Sequence, residues 1–171
     1  SEDILKKMVA YGVKALTAGN RQAWEFIIID DQKMIETLAE HKYEQNRSIQ
    51  PKGDMTPEDI EKAALQQKDA YNNCSVLAVC CKKGEEVSAW TCIQNMALVA
   101  TAEGCGVIPS TFWSGKWPGG HQEEVEKLLG LPEDHQVATV LLVGVQDGEP
   151  KEKAMRPEYS WLHRNKFGAG Y

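Results

Sequence analysis

The sequence predicts an α+β sandwich of three layers, a central sheet between two layers of helices, and three observations predict it. Residues 24–29, 75–81 and 137–145 are apolar on consecutive positions and rich in β-branched side chains, the pattern of strands covered on both faces. Helical spacing fills the segments between them. At 171 residues and 42% hydrophobic content, the chain can bury roughly 70% of its unfolded surface in one core, so a single domain over residues 1–171 is expected. Strand order and direction do not follow from this pattern.

The elements follow in order. Ile4, Leu5, Met8, Val9, Val13 and Leu16 recur at helical spacing, and Thr17-Ala18-Gly19-Asn20 ends that helix. Trp24 to Ile29 reads as a strand at the sheet centre. Asp31 caps a short helix carrying Met34, Ile35 and Leu38, and the polar stretch from His41 to Asp54 reads as an exposed loop. Thr56-Pro57-Glu58-Asp59 is a strong start for a helix running to about Tyr71. After the strand at 75–81, residues 87–103 form a helix that is apolar or small nearly all round, which places it inside the domain or across a subunit contact. A shorter helix, 122–129, stops at Gly130-Leu131-Pro132 before the last strand.

Composition excludes several function classes. A net charge of −6, from 25 acidic and 19 basic residues with no block of either sign, argues against nucleic-acid or anionic-membrane partners. No apolar run reaches the roughly 20 residues needed to span a bilayer, and Ser1-Glu2-Asp3 does not begin a signal segment, so a soluble, cytoplasmic protein is expected. The five cysteines read as reduced thiols, with Cys80 and Cys81 on opposite faces of a strand. His41, His121, His135 and His163 never fall at metal-ligand spacing and read as surface histidines, so no metal is assigned. Gly104-Cys105-Gly106 lacks the third glycine of a dinucleotide fingerprint, and Ser114 has no hydrolase frame.

Two loops remain, 17–24 and 109–115, which set polar and aromatic groups beside core segments. A flat heterocycle with one apolar and one amide-like end needs that mixture, and Asn20, Gln22, Ser110 and Thr111 carry suitable groups. The same residues also suit a plainer role, with Trp24, Phe112 and Trp113 in the core and Asn20 as a turn former.

Asn20-Arg21-Gln22-Ala23-Trp24-Glu25-Phe26 resembles the Asn-x-Gln-Pro-Trp-x-Phe signature of the nitroreductase family, with Ala23 in place of proline. Ala89 to Ala100, with Ile93-Gln94-Asn95-Met96, is similar to the family's long central helix, and Gly104 and Gly106 fit its continuation. Leu129-Gly130-Leu131-Pro132-Glu133, Leu142-Val143-Gly144-Val145, Arg156-Pro157 and His163-Arg164-Asn165-Lys166-Phe167 extend the likeness in the family's order.

The resemblance implies a mixed central sheet flanked by helices and an intertwined homodimer with two noncovalent FMN sites, each built from both chains. It implies an oxidoreductase that passes hydride from NAD(P)H through FMN to a small electron-poor acceptor such as a nitroaromatic or quinone. Thr17, Asn20, Arg21 and Gln22 match the loop that meets the flavin, and Gln94, in the central-helix motif, is a further cofactor-binding candidate. Ser110, Thr111, Phe112 and Trp113 match the loop packed on the ring from the other subunit. Arg21 is a candidate to stabilise negative charge on reduced flavin, or else forms a surface salt bridge. The family's arginine run ahead of the first helix, which grips the FMN phosphate, is not within residues 1–171, so either it precedes Ser1 or Arg156, which matches a basic residue near the phosphate, Lys153 or other cations substitute for it. No catalytic side chain is assigned. Alternatives within the resemblance are a flavin-binding or cofactor-free protein without turnover, and a dehalogenase or peptide-oxidising dehydrogenase with a lid in 41–54.

Overall fold

Local chemistry sets where each element begins. The computed structural model describes residues 2–51, 53–145, 148, 154–157 and 161–169. Helix α1 (Glu2–Gly12) buries Leu5 and Met8, and a 3-10 turn at Ala18–Asn20 leads into β1 (Trp24–Ile29). The Asp31 carboxylate accepts the Met34 N–H at 2.8 Å and so opens α2 (Gln32–Arg47). A capping box opens α3 (Pro57–Asn73): the Thr56 hydroxyl accepts the Asp59 N–H while the Asp59 carboxylate accepts the Thr56 N–H. Then follow β2 (Ser75–Lys82), α4 (Glu86–Ala102), β3 (Gly106–Ser110), α5 (Gln122–Leu128) and β4 (His135–Gly144).

The sheet order is β1-β2-β4-β3. Alternation along β2 divides the core in two. Leu77, Val79 and Cys81 pack with Leu5 and Met8 of α1 and with Ala89, Cys92, Ile93 and Met96 of α4. Val76, Ala78 and Cys80 pack with Ile35 and Leu38 of α2, Tyr71 of α3 and Val125 of α5. These are the two outer layers of the expected sandwich. β4 carries a bulge opposite Val79 and Cys80, where Ala138 is the extra residue. Gly12 lets α1 approach α4 closely, since a Cβ there would lie 2.6 Å from Met96 Cγ.

Several expectations change. The described sheet has four strands, not three, and every pairing is antiparallel where the resemblance implied a mixed sheet. β1 lies at an edge, not the centre. Its apolar run is explained by two-sided packing, because Trp24 and Phe26 face the α1/α4 layer while Ile27 and Ile29 face α2. The segment expected as a loop and possible lid from His41 is helical to Arg47, because Lys42 and Gln45 continue the buried stripe of Ile35, Leu38 and Ala39. Finally, of the two places expected for α4 it is not the inside of the domain that it takes: it is buried on one face and leaves Val87, Trp90 and Leu98 exposed. The cysteines are unpaired, as expected, and burial pushes the Cys80 thiol up to about 12. Among the described residues no helix is long and apolar enough to cross a membrane.

Candidate functional site

The turn at 17–22 faces outward and is bonded to itself. Gly19, Asn20 and Gln22 all have positive φ, at 58°, 54° and 49°. For the two non-glycine residues that backbone is uncommon, and it is held by local bonds. The Thr17 hydroxyl accepts the Gln22 N–H at 3.2 Å, and Gln22 Nε2 donates to Asn20 Oδ1 at 2.9 Å. Both ends lie against the start of α4: Thr91 Oγ1 shares its proton between the Ser88 carbonyl at 2.8 Å and the Leu16 carbonyl at 3.2 Å, and Arg21 Nε pairs at 2.6 Å with Oε1 of Glu85, the residue ahead of α4. Arg21 therefore forms the salt bridge that the sequence left open. Between the turn and the first turns of α4 lies a recess of about 480 Å³, lined among others by Thr17, Arg21, Glu85, Val87 and Thr91.

The 110–113 segment is built the other way, from inside. Ser110 is fully buried, its Oγ accepting from the Tyr71 hydroxyl at 2.7 Å, and burial raises the Tyr71 pKa. Phe112 is buried as well. Thr111 and Trp113 are the two of the four that reach the surface. Two buried polar residues of α2 hold the backbone: Lys42 Nζ and Gln45 Nε2 both donate to the Thr111 carbonyl, at 2.8 and 3.0 Å, and Gln45 Oε1 accepts the Trp113 N–H at 2.7 Å. Burial pushes the Lys42 ammonium down to about 8. Beyond Trp113, the Glu123 carboxylate accepts from the Gly115 N–H and the Ser114 hydroxyl, which holds its pKa low. Trp113 and Trp117 line a shallow apolar recess of about 330 Å³.

Among the described residues no hydrogen bond or salt bridge links these two regions within one chain. Gln94 lies elsewhere again, on the outer face of α4, one helical turn from exposed Trp90 on one side and from Leu98 on the other. Arg156 is exposed beyond the sheet, its guanidinium 5.0 Å from the Trp161 ring centroid. Lys153 lies outside the described residues.

Sequence reading missed Lys42, Gln45 and Glu123. The signal for the first two was the helical spacing of Ile35, Leu38, Ala39, Lys42 and Gln45, obscured because the last two are polar. It also missed that the fold gathers His41, Glu44 and His121, whose ligand atoms all lie within 4.8 Å of one another.

Comparison with known proteins places this architecture. No curated protein matches the chain in sequence. Among solved structures, NADPH:FMN oxidoreductase from Vibrio harveyi, complexed with NAD+, is 19% identical over 98% of this chain and 69% of its own, with a TM-score of 0.68. A nitroreductase with bound FMN from Desulfitobacterium hafniense DCB-2 is 18% identical over 91% of this chain and 84% of its own, at 0.69. Oxidized iodotyrosine deiodinase bound to FMN and 3-iodo-L-tyrosine is 22% identical over 92% and 85%, also at 0.69. At such identities these likenesses establish the fold. The sequence profile described as the nitroreductase family matches residues 1–145, every described element included, so the chain belongs to the nitroreductase family.

Proposed function

We propose that the chain is one half of a homodimer that binds FMN noncovalently at each subunit contact and moves hydride from NADH or NADPH to an electron-poor acceptor. The 17–22 turn carries this reading. Left-handed backbone at a non-glycine residue costs roughly 1–2 kcal/mol, and such strain clusters where a ligand is held. Here it fixes a half-buried hydroxyl and two exposed amides beside α4, whose outer face leaves Val87, Trp90 and Leu98 exposed.

These residues fit the group. The flavin's pyrimidine edge needs donors and acceptors, which Thr17, Asn20 and Gln22 present from a turn that is already ordered. Bound FMN would supply the two-electron chemistry, accepting hydride from the nucleotide and passing it to the acceptor. Arg21 lines the recess together with the Glu85 carboxylate that anchors it, so its guanidinium is held in place there with its charge matched. Pairing of α4 outer faces would cover Trp90 and Leu98 and bring Gln94 to the contact. Thr111 and Trp113 of the partner subunit would close the slot, with Ser110 and Phe112 anchoring that segment in its own core. We assign the phosphate to Arg156 and Lys153, and the acceptor, a nitroaromatic or quinone, to the apolar surface of Trp113 and Trp117.

The test is the visible spectrum of the purified full chain with FMN. A yellow protein bleached by NADH or NADPH, with colour restored by a quinone, supports the reading, and Asn20→Ala should weaken FMN binding on the order of tenfold. Yellow protein that neither nucleotide bleaches would remove turnover and leave binding. A colourless protein indifferent to FMN would remove both.

A further inference from the structure

The cluster on the opposite layer from α4 lies outside the flavin reading. His41 and Glu44 are three residues apart on α2 and so share a face. His121, just ahead of α5, arrives there from the far end of the 110–121 segment. Its Nε2 lies 2.9 Å from Glu44 Oε2, and its ring stacks on His41 with centroids 4.5 Å apart and 27° between planes. His41 Nδ1 is shielded from solvent and has no hydrogen-bond partner. A buried ring nitrogen left so costs roughly 1–3 kcal/mol.

We propose that His41, Glu44 and His121 form a binding site for a divalent transition ion of the zinc type, which fastens α2 to the end of the 110–121 segment. Two imidazoles and one carboxylate are a zinc donor set that leaves a fourth position for water, and imidazole donors disfavour calcium and magnesium. The ion resolves two problems of the apoprotein. It gives the His41 ring nitrogen a partner, and it ties the stacked ring of His121 to α2. The surroundings supply negative charge: Glu124 and Glu40 both act electrostatically on His41, Glu40 also pairing with Lys68. The site also completes a series of ties along one segment: Lys42 and Gln45 at Thr111 and Trp113, Ser48 at Pro118, and the ion at His121. Its occupancy sets how firmly Trp113 and Trp117 are held.

The test uses the full chain, stripped with a chelator and titrated with Zn2+ by calorimetry and with Co2+ by visible absorption. One ion per chain, Co2+ bands of a four-coordinate site and a rise in Tm with Zn2+ are expected. His41→Ala and His121→Ala should each weaken Zn2+ binding at least about tenfold and abolish the Tm rise, while His163→Ala, in the exposed tail, changes neither. Circular dichroism checks folding, and Glu44→Gln, an isosteric change at an exposed position, should weaken binding should an alanine variant fail to fold. Binding unaltered in these variants, which would assign the ion to thiols or scattered carboxylates, overturns the proposal, as does a parent chain that binds no Zn2+. Neither outcome depends on whether the protein holds flavin.

Discussion

The 17–22 turn and the 110–121 segment both set polar and aromatic groups beside the core, and they are held in opposite ways. The turn is self-contained: Thr17, Asn20 and Gln22 bond to one another, at the cost of left-handed backbone, and reach the rest of the fold through Leu16 and Arg21. The 110–121 segment has little internal bonding up to Trp113 and is organised by α2 and α5, through Lys42, Gln45, Ser48 and Glu123. A turn that carries its own bonds keeps its shape when neighbours change. A segment held from outside shifts when its supports do.

That contrast orders the expected effects of substitution. Gly120→Ala should be the most damaging, because its Cβ would lie 2.0 Å from the Ser114 carbonyl oxygen, a backbone atom that cannot rotate away. We expect a loss of about 3 kcal/mol in urea denaturation, and a value near zero would mean the segment is looser than described. Gln45→Leu takes away the acceptor of the Trp113 N–H and one of two donors to Thr111, for a loss of about 2 kcal/mol and faster hydrogen exchange at Trp113. Lys42→Met leaves Thr111 with its Gln45 donor and should cost about 1 kcal/mol, so a larger loss than for Gln45→Leu would reverse their ranking. In the turn, Gln22→Gly relieves left-handed strain while freeing the unfolded chain, so stability should stay within about 0.5 kcal/mol of the parent. Its FMN affinity should nevertheless fall several-fold, and a turn that loses stability instead is not self-contained.

The same contrast explains what could be read beforehand. The start of α3 was legible because Thr56, Pro57 and Asp59 are adjacent in sequence and their bonds are local. β2 and β4 were legible because central strands are apolar throughout. β3 was not, since its run of Gly106 to Ser110 includes a glycine and Pro109, which a strand tolerates at an edge where the missing N–H faces away from its partner. The position of β1 was misread because packing on both faces does not require a neighbour on both sides. In the candidate site, the turn was legible in a short contiguous motif. The support of 110–113 was not, because Lys42 and Gln45 look like surface residues until Thr111 and Trp113 are brought against them across 66 or more positions of chain. The His41, Glu44 and His121 grouping was invisible for the same reason.

At the centre of the account is a flavin slot shared between two copies, the turn of one facing the 110–113 segment of the other. Sedimentation velocity of the full chain with FMN, followed at the protein band and at the flavin's visible band, tests it most directly. The account predicts that bound flavin travels with a two-chain species at one flavin per chain. Flavin sedimenting with single chains, or a stable pair of chains that carries none, would contradict it.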